Sequence, residues 1–429
     1  MIVAIAFVVT IAIGMPIAFA LAATGLIHGI DMGTANLFTT LMQRMFAATN
    51  STSLMAIPLF ILAGELMGIG GVTERLCDWI RTIIGHIKGG MAYVTVVVGA
   101  LLGALLGSAN ASAALLGRVL KPELDKDNYS PVFSTSLCAA TSILGPIIPP
   151  STMFIVYGVQ AQCSVGDLFI AGIIPGILMA LAFIGLIFAS GRGQEGQKWT
   201  VRVRSNLKES FRMFLRALPA LFVPVIILGG ILGGFFTPTE SAAIASLVAA
   251  LEGMFLFRKL KLKDFPGILQ NTAVLSAAIM VIVAMANILA YTMALAQLPQ
   301  QIANFLISLT SSKFLLLIII NLFLLLVGMV MESFAAIIIL VPVLLPVALS
   351  LGLTPVHFGM IMCINLIVGL ITPPVGVALF TTCLSTKTPL EKVVGPIWKW
   401  VGVAFVVLML VTFIPALSEF LPTLIATTK

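Results

Sequence analysis

Apolar runs follow one another from Met1 to Pro422, and only short polar breaks separate them. A helix that crosses a bilayer needs about 20 predominantly apolar residues, and many of these runs reach that length. Charged residues make up 9% of the 429-residue chain, whereas a water-soluble domain averages about a quarter. That is too little charge to cover a globule of this size. The sequence therefore predicts an all-α, polytopic membrane protein.

The basic residues indicate the orientation, because lysine and arginine collect on the cytoplasmic side of membrane proteins. We assign to the cytoplasm five ranges in which they cluster: 75–88, 118–126, 192–216, 258–263 and 387–399. The breaks at 160–167 and 350–356 contain no lysine or arginine, so we assign them to the outside. This topology accounts for the net charge of +7, and we expect no nucleic-acid partner.

Two stretches are predicted to be re-entrant hairpins. The first, at about 89–118, begins and ends near cytoplasmic clusters and is too short for two crossings, which need about 40 residues. Small polar residues occupy its centre, and such backbone is tolerated at membrane depth only where protein or water satisfies it. The second, at about 313–350, is flanked by sequence without a basic cluster and has Glu332 at its centre. We therefore expect the hairpins to enter from opposite faces.

Each hairpin precedes an apolar segment that two adjacent prolines interrupt, at about 131–159 and about 355–385. Proline removes a backbone donor and breaks a helix, so both segments are predicted to be discontinuous helices. Sliding residues 128–150 onto 352–374, an offset of 224, gives seven identities that include both proline pairs. The chain is thus predicted to be an inverted repeat, with copies at 1–190 and 217–429. Interrupted helices at matching positions indicate the central site of a transporter.

The segment between the copies, 191–216, is the most basic in the chain and has aromatic residues among its arginines. A cationic, amphipathic segment next to a membrane is typical of a helix that lies on anionic lipid headgroups. We therefore predict a cytoplasmic interfacial linker in contact with membrane lipid.

Oxygen-bearing groups are concentrated at the hairpin tips and at the proline breaks. Carbonyls freed by a broken helix, with hydroxyl and amide oxygens, are the groups that bind Na⁺ in such transporters. The first half offers the side chains of Ser108, Asn110 and Ser112, the carbonyls of Gly145, Ile148 and Pro149, and the hydroxyl of Ser151. The second half offers Glu332, Ser333 and Thr372. Two structural roles remain open: small polar residues that join helices, and Glu332 as a helix cap.

Six short motifs spread over the chain resemble one family, the large membrane subunit of tripartite ATP-independent periplasmic (TRAP) transporters, within the ion-transporter superfamily. These motifs are Gly14–Phe19, Gly107–Ala113, Gly145–Ser151, Phe236–Ala242, Met331–Ala336 and Thr372–Gly376. The resemblance implies a Na⁺-coupled elevator transporter in the bacterial inner (cytoplasmic) membrane. It implies two partners, a small four-helix membrane subunit and a periplasmic binding protein that delivers an organic anion, and we expect neither to be fused here. Na⁺ is the coupling ion, and no cofactor is expected.

The resemblance also assigns residues to three sites. Sodium site 1 comprises Ser108, Asn110, Ser112, Gly145, Ile148 and Pro149, and sodium site 2 comprises Glu332, Ser333, Gly369, Thr372 and Pro374. Substrate contacts are expected from Asn110, Ser151 and Thr372. The family's substrates are carboxylates such as C4-dicarboxylates and sialic acids. The general likeness of this sequence to the sialic-acid members of the family favours sialic acid as the substrate.

Three other functions remain open at this stage. One is a Na⁺-coupled carboxylate transporter that acts without a binding protein, and another is an uncoupled channel. An intramembrane enzyme would need a nucleophile with a base, or a metal cluster, on facing helices. The sequence displays no such constellation, so we expect the chain not to be an enzyme.

The charge assignment predicts which thiols face the outside. A membrane-impermeant thiol reagent added to intact cells should modify Cys163, which lies in a break without basic residues, in preference to Cys77, between Arg75 and Arg81. If both thiols are too buried to react, the experiment is repeated with single cysteines introduced at Ala161 and Ser205 in a cysteine-free background. Preferential labelling of the Cys77 or Ser205 side would contradict the assigned topology.

Overall fold

A computed structural model describes residues 2–33, 37–202, 206–310 and 312–428, and the described residues are overwhelmingly helical. The helices of the first half are α1 Ile2–Ala12, α2 Ile17–Asp31, α3 Leu37–Thr49, α4 Ala56–Gly70, α5 Val72–Ile84, α6 Gly90–Leu106, α7 Ala109–Val119, α8 Lys121–Lys126, α9 Pro131–Ser142, α10 Leu144–Ile147, α11 Thr152–Gln160 and α12 Val165–Gly191. A short helix, α13 Gln194–Gln197, follows. The second half has α14 Leu207–Leu232, α15 Pro238–Leu251, α16 Phe265–Leu295, α17 Leu298–Leu309, α18 Lys313–Val330, α19 Ser333–Ser350, α20 Pro355–Gly369, α21 Val377–Thr386, α22 Leu390–Phe413 and α23 Ala416–Thr428.

The polytopic, all-α class is confirmed. Within the described ranges, 8 helices are long and apolar enough to cross a membrane. A ninth crossing is formed if α9–α10 and α11, which meet at a bend of 45°, are counted as one interrupted span. The chain is therefore a multi-pass membrane protein.

The two halves contain matching elements in the same order. The stretch at 89–118 forms the helix pair α6–α7, which is interrupted at Gly107 and Ser108, and the stretch at 313–350 forms α18–α19, interrupted at Met331 and Glu332. The interrupted helices are α9–α10–α11 in the first half and α20–α21 in the second. A long helix follows each of them, α12 and α22.

One group of helices, α1–α5 with α14–α17, packs together beside the hairpins, with α5 against α6 and α17 against α19, and we call it the support body. Its helices approach closely through small residues. A Cβ atom on Gly25 of α2 would lie 2.8 Å from the backbone nitrogen of Leu289 in α16. The hydroxyl of Ser246 in α15 donates to the carbonyl of Leu59 in α4 at 2.8 Å.

Helices α6–α12 and α18–α22 form a second unit, here called the site body, in which the two repeats interlock, and α13 and α23 pack on its helix α12. Helix α7 of the first hairpin packs on α21 of the second interrupted helix, and Gly117 leaves room there for the side chain of Ser385. Helix α11 packs on α19 in the reciprocal way. The hydroxyl of Tyr157 donates to the carbonyl of Pro355 at 2.7 Å, which joins the two interrupted helices.

The linker differs from the single interfacial helix expected for 191–216. Its last ten residues are the first turns of α14, which Asn206 caps and which continues into a membrane span. Trp199 is buried and stacks on the ring of Tyr129 at 4.7 Å, so it contacts protein instead of headgroups. Residues 203–205 lie outside the described residues. Hydrophobic burial of Trp199 explains the difference, because its aromatic surface gains more from a protein pocket than from the interface.

Charged groups hold the same part of the linker to α8. Arg202 donates from Nε to both carboxylate oxygens of Asp127 at 2.8 Å and from Nη2 to Oε2 of Glu123 at 3.2 Å. Arg81 of α5 donates to the same Oε2 atom at 3.2 Å. The hydrogen bond from Lys126, with a contribution from Arg202, lowers the pKa of Glu123 against the opposing effect of burial. Glu123 thereby connects the linker, the site body and a helix of the support body.

Replacing Trp199 with Ala should destabilise the folded chain by about 3 kcal/mol, because a buried tryptophan is exchanged for a cavity. A thermal unfolding curve of the purified protein in detergent measures the effect as a lower midpoint. Trp398→Ala on α22 is the matched control, since Trp398 is 49% exposed. Equal midpoints for the two variants would contradict the anchoring role of Trp199.

Candidate functional site

The first hairpin tip is built around a left-handed glycine. Gly107 has φ +59, a conformation that glycine adopts without the Cβ penalty of other residues. A Cβ atom there would also sit 3.4 Å from the backbone nitrogen of Thr152. The next residue, Ser108, caps α7 by accepting a hydrogen bond from the amide of Ala111 at 3.4 Å. The tip is therefore a tight turn pressed against another segment.

That segment is the break in the first interrupted helix. Helix α10 contains Gly145 and ends at Ile147, Ile148 is extended, and the Pro149–Pro150 peptide bond is cis. Ser151 then caps α11 by accepting from the amide of Phe154 at 3.4 Å. The hydroxyl of Thr152 donates to the carbonyl of Gly107 at 2.9 Å. This bond joins the hairpin tip to the break.

Two oxygen atoms at this tip are buried and have no hydrogen-bond partner among the described residues. They are Oδ1 of Asn110 and Oγ of Ser112, both in the first turn of α7. Ser112 is 0% exposed. Keeping a polar atom unpaired and away from water costs about 1–3 kcal/mol of stability. A ligand that bonds to either oxygen would recover that free energy.

The second hairpin tip uses its acidic residue differently. Glu332 caps α19, because its Oε2 accepts from the amides of Phe334 and Ala335 at 2.8 and 3.3 Å. The adjacent Ser333 is buried, and its hydroxyl is without a hydrogen-bond partner among the described residues. The structural role that the sequence left open for Glu332 is thus present, while Ser333 resembles Asn110 and Ser112 in being unpaired.

The second break is positioned by a contact between two glycines. A Cβ atom on Gly369 would lie 2.5 Å from the carbonyl carbon of Gly328, so the backbones of α18 and α20 touch. Thr372 lies in the break and is buried, and its hydroxyl donates to the carbonyl of Val368 in the last turn of α20 at 2.8 Å. The second proline pair is also joined by a cis bond, but Pro374 is exposed.

A buried amide cluster beside this break was not predicted from the sequence. The side-chain nitrogen of Asn365 donates to both the carbonyl and Oδ1 of Asn321, at 2.9 and 2.8 Å. Both residues are 0% exposed, and Oδ1 of Asn365 is unpaired. The offset of 224 places Asn365 opposite Thr141, whose buried hydroxyl is also unpaired. A comparison of the two repeats that looked for matching polar residues, and not only for identical residues, would have indicated Asn365 and Thr141.

The helix ends around the first break carry opposite partial charges. Helices α7 and α11 begin where the tip meets the break, and a helix N-terminus attracts negative charge. Carbonyl groups at the end of α10 face the same break, and a helix C-terminus attracts cations. The arrangement suits an anion and a metal cation bound side by side.

Comparison with protein families decides what kind of chain this is. Residues 4–417 match the family model described as "Tripartite ATP-independent periplasmic transporter, DctM component". The chain belongs to this family. The resemblance inferred from the sequence is thereby confirmed.

Curated TRAP permeases are similar to this chain over nearly its whole length. The isethionate permease DctMQ of Oleidesulfovibrio alaskensis is 38% identical over 96% of this chain and 65% of its own length. The C4-dicarboxylate large permease DctM of Pseudomonas aeruginosa is 37% identical, covering 88% of both chains. The sialic acid large permease SiaM of Vibrio cholerae is 34% identical over 96% of this chain and 95% of its own length. This TRAP chain is therefore a transporter component and not an enzyme.

A solved structure shows the same fold. The YdaH transporter of Alcanivorax borkumensis, described as having an unusual topology, superposes with a TM-score of 0.62 and covers 89% of both chains. Its sequence is 16% identical, so the likeness concerns the fold only.

Proposed function

We propose that this TRAP permease is a Na⁺ symporter of the bacterial inner membrane that imports an organic anion. The observation that carries the proposal is the pair of buried, unpaired oxygens of Asn110 and Ser112 beside a helix break. Sodium is cargo in this scheme, and the ion gradient supplies the energy for uptake.

Sodium site 1 is proposed between the first tip and the first break. A dehydrated Na⁺ prefers oxygen atoms, and the unpaired side-chain oxygens of Asn110 and Ser112 are the ones proposed to take part. Further oxygens would come from the backbone carbonyls between Gly145 and Pro149, where the helical hydrogen bonds stop. Proline has no N–H to donate, so the carbonyl one turn before it is left without its helical partner. Ser108 holds the turn in place as the cap of α7.

Sodium site 2 is proposed between the second tip and Gly369. Ser333 offers an unpaired hydroxyl, and Glu332 has a second carboxylate oxygen, Oε1, beyond the Oε2 atom that caps α19. Thr372 and Pro374 would contribute backbone carbonyls, since the hydroxyl of Thr372 is already bonded to Val368. A carboxylate next to a cation in a site without water is more favourable than an isolated one.

The substrate is proposed to be a small organic acid. Sialic acid and C4-dicarboxylates carry carboxylates, and isethionate carries a sulfonate, so the substrates named for the three relatives share an acidic group. In this chain the N-termini of α7 and α11 meet beside Asn110 and Ser151, where such a group would accept amide hydrogen bonds. Thr372 is proposed as the contact from the other repeat. Sialic acid and a C4-dicarboxylate are the first ligands to test.

Transport is proposed to proceed by an elevator motion. The repeats interlock within the site body through α7 with α21 and α11 with α19, so both proposed sodium sites would move as one rigid unit. The support body would remain fixed in the membrane, and the substrate would cross with the moving body. We propose that a small membrane subunit completes this assembly and that a periplasmic binding protein delivers the anion.

Ala substitution of Ser108, Asn110 or Ser112 should raise the Na⁺ concentration needed for half-maximal uptake. A lost contact to a cation costs roughly 1.5 to 3 kcal/mol, by analogy with hydrogen bonds to charged groups, which is about 10- to 100-fold in affinity. Uptake into proteoliposomes is measured against Na⁺ concentration, and size-exclusion profiles report whether each variant is folded.

Ser164→Ala is the control for these tip variants. Ser164 caps α12 at the external break by accepting from the amide of Asp167 at 3.1 Å, so this variant removes a capping hydroxyl far from both tips. An unchanged Na⁺ dependence in all three tip variants, or an equal shift in Ser164→Ala, would reduce the tip to a structural role.

The complete system should be needed for uptake. In liposomes, substrate accumulation is expected only when this chain, the small subunit, a loaded binding protein and an inward Na⁺ gradient are present. Omitting each component in turn is the measurement. Full uptake of free substrate without the binding protein would favour the alternative carboxylate transporter, and uptake driven by ATP without a gradient would contradict symport.

A further inference from the structure

We propose that a cleft at the cytoplasmic end of the site body binds the headgroup of an anionic phospholipid. The cleft lies between α9, α12 and α22 and has a volume of about 640 Å³. The residues that matter for its chemistry are Ser130, Phe133, Ser136, Ser190, Lys399 and Trp400. None of the described residues that line it belongs to either proposed sodium site.

The position of the cleft matches the level of the headgroups. Ser130 caps the first turn of α9, Ser190 lies in the last turn of α12, and Lys399 belongs to the basic cluster at 387–399. All three are therefore on the side that the charge pattern assigns to the cytoplasm. The cytoplasmic leaflet is the one that carries anionic lipids.

The two helices that flank the cleft, α12 and α22, carry exposed apolar side chains, and Arg192 lies over one of them, Phe188, at 4.2 Å. Leu181 and Phe188 on α12 are 58% and 54% exposed, and Trp398 and Val406 on α22 are 49% and 58% exposed. In a membrane protein, side chains of this kind face acyl chains. The mouth therefore opens sideways toward lipid, so that a molecule could enter the cleft while its tails remain in the bilayer.

The lining combines a cation with hydroxyl groups and aromatic rings. Among the described residues that line the cleft, Lys399 is the one with a charge, and it makes no salt bridge with any described residue. Ser130 accepts a hydrogen bond from the amide of Phe133, so its own proton is available to donate. The rings of Phe133 and Trp400 lie 6.0 Å apart and form an apolar wall.

This chemistry favours a lipid over a free anion. Lys399 and the Ser130 hydroxyl can bind a phosphate, and the residues described in the lining include no carboxylate. A free phosphate would leave the partly exposed Phe133 side chain in contact with water, whereas the glycerol and first methylenes of a lipid would cover it. Binding there would brace α9, α12 and α22 against one another at their cytoplasmic ends.

The test is native mass spectrometry of the full chain with phosphatidylglycerol or phosphatidylcholine, together with thermal unfolding in detergent. We expect wild type to retain phosphatidylglycerol in preference to phosphatidylcholine, and phosphatidylglycerol to raise the unfolding midpoint, because a ligand that binds only the folded state stabilises it. Lys399→Gln should weaken phosphatidylglycerol binding about tenfold, since one contact to a charged group is lost. Lys399 is exposed, so the variant should fold normally.

Lys392→Gln is the matched control, because Lys392 is an exposed lysine on α22 that does not line the cleft. It should bind phosphatidylglycerol as wild type does. Inorganic phosphate alone should leave the unfolding midpoint unchanged. Equal binding of the two lipids, an equal loss in both lysine variants, or stabilisation by inorganic phosphate alone would each overturn the proposal.

Discussion

The structure depends on one constraint, the need to satisfy backbone polar groups where water is absent. A helix break at membrane depth exposes amides and carbonyls, and each costs free energy unless another group bonds to it. Here each break is covered by a hairpin tip or a hairpin helix. The first is joined to its tip by the bond from Thr152 to the carbonyl of Gly107, and the second is held by the backbone contact between Gly328 and Gly369. A hairpin and a break are therefore parts of one unit, and neither would be stable in lipid without the other.

The same constraint explains why polar side chains at the site have a structural role as well. Ser108, Ser151 and Glu332 cap α7, α11 and α19, and capping satisfies amides that would otherwise be orphaned at the start of a helix. Asn110, Ser112 and Ser333 lie just beyond the caps and keep their oxygens unpaired. A cap orders the turn, and the next polar residue is then presented to whatever binds there.

Local signals predicted much of this architecture. The length of the apolar runs predicted a polytopic membrane protein, and the two proline pairs predicted both interrupted helices. The small residues at 107–113 predicted the tip of the first hairpin. Contacts between distant residues were not predictable, because spacing within one segment does not specify which segment it meets. The bond between Asn365 and Asn321 and the packing of α7 on α21 are of this kind. The place of Trp199 was not predictable in this way, since the basic composition of the linker resembles a headgroup-binding helix while Trp199 fits a protein pocket.

The reciprocal packing of the repeats has a consequence for the origin of the chain. Helix α7 of the first copy packs on α21 of the second, and α11 of the first packs on α19 of the second. Each copy on its own would therefore leave one face of its hairpin and one face of its interrupted helix uncovered. The charge pattern puts the copies in opposite orientations. An ancestral half-length protein would therefore have needed to insert into the membrane both ways round and to pair with its own inverted copy. Gene duplication would then have freed each copy to fix one orientation through its own lysines and arginines.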